Sequence, residues 1–222
     1  FDEMFTIDLL WTALQSLLIA FFAALTTLVT AVALIYFSRW NHFKKINIFK
    51  RIGTIGYVIP GAIIGIGIIK SSQGFITFFS EKFNISIGYI FYGSSIVLIY
   101  AYVFRFLSVT YNPLEANSLK VGKHISESSY LLGTGKLKTL FKIDLPLLKG
   151  ALASSFVLIF IDVMKELPLT LILKPYNIET LAISAYAYAE DEMVAEAALP
   201  SLVLILIVII LMFILKLDKR NE

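Results

Sequence analysis

The sequence predicts an all-α fold, a polytopic bundle of helices that cross a membrane. Of the 222 residues, 58% are hydrophobic and 16% are charged, and the mean hydropathy is +0.82. Soluble domains are typically only about 45–50% apolar. The apolar residues also cluster into stretches of roughly 20, the length that a helix needs to cross a hydrocarbon core about 30 Å thick. Backbone groups in lipid need internal hydrogen bonds, so we expect helices, and one transmembrane domain over residues 1–222.

Five stretches qualify as transmembrane helices. They cover residues 9–37, 52–69, 87–106, 150–173 and 199–215. The second stretch contains Gly61 and Gly65, whose small-xxx-small spacing predicts close packing against another helix. It also contains Pro60, which predicts a kink. An unwound segment at a substrate site is the alternative interpretation of this glycine-rich stretch.

The distribution of Lys and Arg predicts the orientation, because short loops rich in these residues stay in the cytoplasm. All Lys and Arg residues except Lys70, Lys82, Lys165 and Lys174 fall in the loops of one side. The sequence therefore predicts an N-terminus outside, a cytoplasmic C-terminus and a long cytoplasmic loop at residues 107–149. Because the chain begins without a signal peptide, we also expect at least one upstream span in a longer protein. The net charge of +3 arises from the inward loops and indicates no nucleic-acid partner.

The composition predicts neither a catalytic nor a metal site. The chain has no Cys and only two His residues, which excludes thiolate-bound zinc, iron–sulfur clusters and His-rich metal sites. No Ser/His/Asp set and no pair of catalytic acids lies at one membrane depth. The nearest match to the phosphate-loop motif G-x-x-x-x-G-K-[ST] ends at Lys136, but it has Tyr130 and Leu137 at two required positions. The chain is therefore not expected to be an enzyme.

The cytoplasmic loop predicts a helix, a turn and a second helix. Apolar and acidic residues recur at spacings of three and four on either side of Gly133 and Gly135. The first set is Glu127, Tyr130 and Leu131, and the second is Leu137, Leu140 and Phe141. Ser126 is the expected N-cap of the first helix. Such helices insert into a groove on a soluble partner or, alternatively, lie on anionic membrane lipid.

The loop resembles the EAA loop of ABC importer permeases, whose pattern is E-A-A-x-x-x-G followed after nine residues by I-x-L-P. The matching residues are Glu127, Ser128, Ser129, Gly133, Ile143, Leu145 and Pro146. Two serines replace the two alanines of the pattern, and both are small. The resemblance implies a type I, MetI-like permease fold. It also implies that the loop docks on a cytoplasmic ATPase subunit, with two such subunits in the complex. These subunits bind ATP and Mg²⁺, so no cofactor is expected in this chain.

The fourth predicted span carries three ionisable residues, and such groups at membrane depth usually face the bundle interior or a water-filled path. Asp162 and Lys165 are three residues apart, and Asp162 and Glu166 are four apart, so a helix places all three on one face. They are candidates for the translocation path. A structural ion pair is the alternative, and the two interpretations have about equal support.

The same span and the residues after it resemble ferric-iron importer permeases. The resemblance is carried by MKELPLTLILKP at residues 164–175, ETLA at 179–182 and AYAYAEDEMVAEAALP at 185–200. It implies the C-terminal half of a two-half permease, fused or separate, in the inner membrane of a prokaryote. Alternatives are a permease for thiamine, a polyamine or an oxyanion, and a secondary transporter driven by ion gradients.

An acidic segment precedes the last span. Residues 179–196 contain no Lys or Arg, and the acidic residues Glu179, Glu190, Asp191 and Glu192 belong to this segment. We interpret it as a docking surface for an extracytoplasmic substrate-binding protein. The alternative is direct coordination of iron(III) by hard oxygen donors of this segment, namely Tyr186, Tyr188, Glu190, Asp191 and Glu192.

Overall fold

The computed structural model describes residues 3–40, 55–83, 88, 91 and 94–218, and the regular structure in this part of the chain is helical. In chain order the helices are α1 (Glu3–Trp40), α2 (Gly61–Phe83), α3 (Ser95–Val121), α4 (Lys123–Leu131), α5 (Lys136–Thr139), a π-helical turn (Leu140–Asp144), α6 (Leu145–Leu147), α7 (Lys149–Met164), α8 (Pro168–Leu173), α9 (Leu181–Glu190) and α10 (Val194–Asp218). The predicted all-α fold is confirmed.

Helix α1 is the centre of the bundle and packs against α3 and α7. Ala20, Ala23 and Ala24 of α1 are fully buried, and they face Leu98 of α3 and Ile159 of α7 in one hydrophobic cluster. Without a hydrophobic driving force between helices in lipid, small side chains favour association because they let the backbones approach closely. The alanines therefore explain why α1 contacts both neighbours.

A second hydrophobic cluster lies toward the end of the bundle that carries the loop helices. Ala31 and Ile35 of α1 meet Leu107 and Leu114 of α3 there, and Leu140 of the π-helical turn completes the cluster. The turn is therefore anchored to α1 and α3. Leu140 shares the helical spacing of Leu137 and Phe141, but it is 8% exposed and packs in this cluster, whereas the other two side chains are exposed.

Four helices of the described residues are long and apolar enough to cross a membrane, and a bent helix pair raises the number to five. The predicted second span at 52–69 is wrong in its bounds, since α2 begins at Gly61 and extends to Phe83. Pro60 precedes the helix instead of bending it, as expected for a residue that has no N–H to donate. Residues 52–54 lie outside the described part of the chain.

The predicted third and fourth spans also differ from the structure. Helix α3 continues to Val121, so the loop that was predicted to begin at residue 107 begins only after residue 121. Most of residues 87–93 lie outside the described part. The fourth span, predicted at 150–173, breaks after Met164 and resumes as α8 at Pro168. The fifth, predicted at 199–215, lies within α10.

Candidate functional site

The three ionisable residues of the fourth span form two separate contacts in the structure. Lys165 Nζ lies 2.8 Å from Asp162 Oδ1, and the lysine side chain is 61% exposed. Glu166 is only 8% exposed and pairs with Arg105 of α3, whose Nε lies 3.3 Å from Glu166 Oε2. The prediction that all three share one face as a single group is therefore wrong, because the helix ends between Met164 and Glu166.

Arg105 was assigned to the cytoplasmic loops from the sequence, and this assignment is wrong. It lies within α3 and donates a hydrogen bond from Nη1 to the carbonyl oxygen of Ile59 at 3.0 Å. Glu166 Oε1 accepts a hydrogen bond from Leu169 N at 3.2 Å, which satisfies an N–H group at the start of α8. The Arg105–Glu166 pair thus connects the residues before α2, helix α3 and the break between α7 and α8.

Gly61 fits beside this ion pair because it has no side chain. A Cβ atom at this position would lie 2.5 Å from Glu166 Oε1 and 2.8 Å from Arg105 Nη1. One turn further along α2, a Cβ at Gly65 would lie 2.9 Å from Ile172 of α8. The close packing that the small-xxx-small pair predicted is therefore confirmed.

Two hydroxyl groups extend the contact between α3 and α8. Tyr102 Oη and Thr170 Oγ1 lie 2.6 Å apart, and both side chains are buried. Thr170 Oγ1 also donates to the carbonyl oxygen of Glu166 at 2.5 Å. These hydrogen bonds give polar groups at the break between α7 and α8 partners within the protein. Polar groups inside the hydrocarbon core need such internal partners because no water is present there.

The loop helices, residues 123–147, begin with α4, which ends in a glycine-dependent turn. Gly133 has a φ of +82°, a left-handed conformation that favours glycine. Its N–H donates to Tyr130 O at 3.0 Å and Thr134 N donates to Ser129 O at 3.1 Å, the two bonds of a Schellman motif. The predicted turn at Gly133 is therefore present.

The N-terminus of α4 differs from its prediction. Helix α4 begins at Lys123 after Gly122, so Ser126 lies inside the helix and is not its N-cap. The Ser126 hydroxyl instead donates to Asp144 Oδ1 at 2.8 Å. Ser129 contacts Thr139 through their hydroxyls at 2.9 Å.

The I-x-L-P part of the loop contains the π-helical turn and α6. Pro146 has no N–H for the carbonyl of Lys142 and its ring would crowd that carbonyl in an α-helix. The helix widens at this point, and Pro146 is exposed while Ile143 and Leu145 are half-buried. The segment from α5 to α6 meets α7 at an angle of 76°.

The tip of the loop helices exposes apolar side chains. Leu131 is 89% exposed and Leu132 is 85% exposed, and both flank the Gly133 turn. Leu137 and Phe141 are exposed on the following helical segment. Glu127 and Ser128 are exposed on α4, and Glu127 lies 3.6 Å from His124. We call the exposed residues Leu131, Leu132, Leu137 and Phe141 the apolar tip.

The acidic segment lies around α9. Glu179 Oε2 lies 3.0 Å from Lys174 Nζ, so this carboxylate is neutralised by a residue just outside the segment. Glu190, Asp191 and Glu192 are exposed at the end of α9. A pocket of about 270 Å³ lies between Glu179, α9 and the first turns of α1, with Asp8 on its opposite wall.

Sequence reasoning missed the contacts of four residues at these sites. The residues are Tyr102, Arg105, Ser126 and Asp144. Arg105 interrupts the apolar string YAYVFRFLSV, and Asp144 is an acid within the I-x-L-P pattern, so both carried a signal. Ser126 and Tyr102 carried no such signal, because serine and tyrosine are common in helices at positions with no special role.

Comparison with known proteins identifies relatives among transport permeases. No protein-family model matches the sequence. The chain is 27% identical over 203 residues to the "Fe(3+)-transport system permease protein FbpB 2" of Haemophilus influenzae, covering 91% of the chain and 38% of the relative. It is 26% identical over 185 residues to the "Probable transport system permease protein NifC" of Clostridium pasteurianum, covering 81% and 62%. The chain therefore spans between about two fifths and three fifths of the length of these relatives.

The structure also resembles a solved transporter. It superposes on a chain of the MetNI methionine ABC transporter in inward-facing conformations with a TM-score of 0.67, covering 100% of this chain and 99% of that chain at 15% identity. The fold predicted from the sequence is therefore confirmed. The predicted resemblance to ferric-iron importer permeases is confirmed by the sequence relatives.

Proposed function

We propose that this homologue of transport permeases, which has the fold of an ABC transporter's membrane subunit, is a permease of an ATP-driven importer in a prokaryotic inner membrane. Its cargo in this proposal is ferric iron, which an extracytoplasmic binding protein delivers. A separate ATPase subunit binds ATP and Mg²⁺, and a second permease half completes the translocation path. The sequence relatives named for ferric iron support this cargo.

The apolar tip carries the proposal. Leu131, Leu132 and Phe141 project from the bundle on a segment that has the spacing of the EAA loop. Large exposed apolar side chains grouped in this way are typical of a protein interaction surface. A groove on the ATPase subunit fits them, because short helices bind grooves through anchors on one face.

Motion at the apolar tip would reach the membrane helices through α7. Helices α5 and α6 and the π-helical turn lead from the tip to the bend at Leu148, where α7 begins. At its far end α7 carries Asp162, followed by Lys165 and Glu166. This connection supports a role of the loop in coupling ATP hydrolysis to transport.

The proposed residues of the translocation path are Asp162, Lys165 and Glu166. Lys165 and Glu166 differ in their exposure. Lys165 is exposed and accessible to a solute. Glu166 is buried against Arg105, so it would meet a solute only after this ion pair separates. Glu190, Asp191 and Glu192 are the proposed docking residues for the binding protein, because they are exposed and carry charge of one sign.

Reconstitution tests the proposal. The full-length permease is purified with its ATPase subunit, placed in proteoliposomes, and supplied with binding protein loaded with Fe³⁺, thiamine, a polyamine or an oxyanion. We expect ATP hydrolysis and uptake to rise with the Fe³⁺-loaded protein. If hydrolysis and uptake rose only with another solute, that solute and not ferric iron would be the cargo. Uptake driven by an ion gradient without any ATPase would instead identify a secondary transporter.

A further inference from the structure

Two buried serines face inward from a helix that is otherwise largely exposed. Ser126 and Ser129 are 7% and 5% exposed, whereas Glu127 and Ser128 between them are exposed. Residues three apart lie on the same face of a helix, so the two hydroxyls point in one direction. Each contacts a polar side chain of the following segment, Ser126 at Asp144 and Ser129 at Thr139.

The π-helical turn brings these two partners to one face. Thr139 and Asp144 are five residues apart, and in an α-helix such residues point in directions about 140° apart. A π-helical turn, with hydrogen bonds between residues i and i+5, is wound more loosely, so residues five apart come closer to one face. The turn at Leu140–Asp144 therefore directs Asp144 toward α4. Single π-helical turns occur frequently at functional sites.

Asp144 is an expensive residue at its position. It is 3% exposed, and its Oδ2 atom has no hydrogen-bond partner among the residues that the structure describes. A buried polar atom without a partner costs about 1–3 kcal/mol. An apolar side chain of similar size would avoid this cost, so stability alone does not account for an acid here.

We propose that the Ser126–Asp144 hydrogen bond makes α4 move together with the segment that enters α7, so that both are positioning residues of the coupling loop. The inference rests on the proposed function. The turn at Gly133 and the contacts around Ser129 also join α4 to this segment. With it, displacement of the apolar tip reaches Asp144 directly, four residues before the bend at Leu148.

Uptake per ATP hydrolysed, measured in proteoliposomes that contain the full permease and its ATPase, tests this inference. We expect Ser126→Ala and Asp144→Leu to keep the ATPase bound but to lower this ratio about fivefold, the effect of losing one hydrogen bond. The double variant should be no worse than Asp144→Leu alone, because both changes remove the same contact. Ser126→Thr keeps the hydroxyl and Asp144→Asn keeps a carbonyl oxygen, so both should restore the ratio.

Ser154→Ala is the matched control. It also removes a serine hydroxyl, but that hydroxyl bonds only to carbonyls of its own helix α7. Equal coupling in Ser126→Ala and Ser154→Ala would overturn the inference, as would loss of ATPase binding in Ser126→Ala, which would indicate a role in folding of the loop. If the unmodified protein itself binds no ATPase, the proposed function fails, which is a result distinct from a defect confined to the variants.

Discussion

Gly61 occupies a position where a methyl group has no room, because Glu166 and Arg105 lie on the side of the missing Cβ. The ion pair therefore depends on a residue of a different helix that contributes no side chain. At this point in the bundle, backbone and charged groups contact each other with no apolar layer between them. Substitution at Gly61 is consequently a direct test of how tightly the pair is held.

We expect Gly61→Ala to destabilise the protein by about 1–3 kcal/mol, since the added methyl group overpacks the site. Thermal unfolding of the purified protein in detergent measures this change. Gly67→Ala in the same helix is the control, because apart from the adjacent backbone of α2 no described atom lies within 4 Å of a Cβ there. Equal melting temperatures for the two variants would contradict the close approach.

The Arg105–Glu166 ion pair is buried, whereas Lys165 is exposed in its pair with Asp162. Substitutions in the two pairs should therefore differ in their effect on stability. Removing one member of a buried pair leaves an uncompensated charge, and we expect Arg105→Met to destabilise the protein by about 3–5 kcal/mol. Adding Glu166→Gln should restore part of the loss. Lys165→Met should cost at most about 1 kcal/mol because its ammonium group is solvated. If Lys165→Met lowered the melting temperature more than Arg105→Met, the assignment of the buried and the exposed pair would be wrong.

At the scale of the element, the loop helices depend on one left-handed residue. Gly133 has a φ of +82°, and a side chain in this conformation costs about 1–2 kcal/mol. The Schellman motif orients the apolar tip, because Leu131 and Leu132 immediately precede the glycine. Distortion here would change the presentation of the tip without disturbing the transmembrane helices.

We expect Gly133→Ala to leave membrane insertion intact and to weaken association with the ATPase, measured by co-purification. Gly135→Ala is the control, since Gly135 has a φ of −71° and no atom lies within 4 Å of a Cβ there. If both variants retain the ATPase equally, the turn does not determine the geometry of the interface.

The sequence predicted the apolar stretches and the turn at Gly133, because composition and glycine chemistry are local properties. It also predicted the small-residue contact of Gly61 and Gly65. It did not predict which helices meet, so the pairing of Arg105 with Glu166, which are 61 positions apart, was missed. The bounds of α2 were wrong because residues 56–59, although largely apolar, form a turn and a bend before Pro60.

At the scale of the whole molecule, the orientation in the membrane follows from the Lys and Arg distribution and remains a prediction. The absence of cysteine from these 222 residues makes it directly measurable, because a thiol introduced here is the only one in this part of the protein. Two fully accessible positions lie at opposite ends of the bundle. Leu132 is at the apolar tip, and Tyr176 follows α8.

We expect Leu132→Cys to react with a membrane-impermeant thiol reagent only from the cytoplasmic side, and Tyr176→Cys only from outside. Labelling of intact cells and of inverted vesicles measures both. The unmodified protein is the control for background reaction. Reversed labelling would refute the orientation, and a loop on the outer side could not contact a cytoplasmic ATPase.

Helix α10 has a consequence for the handling of the protein. Only 11% of its most apolar 18-residue stretch is buried, which leaves most of its surface available to acyl chains or to another subunit. The core of α1, α3 and α7 is instead held by protein contacts. Solubilisation in a short-chain detergent should therefore displace α10 first. Nanodiscs that retain native lipid are the preparation in which its place beside α9 is most securely kept.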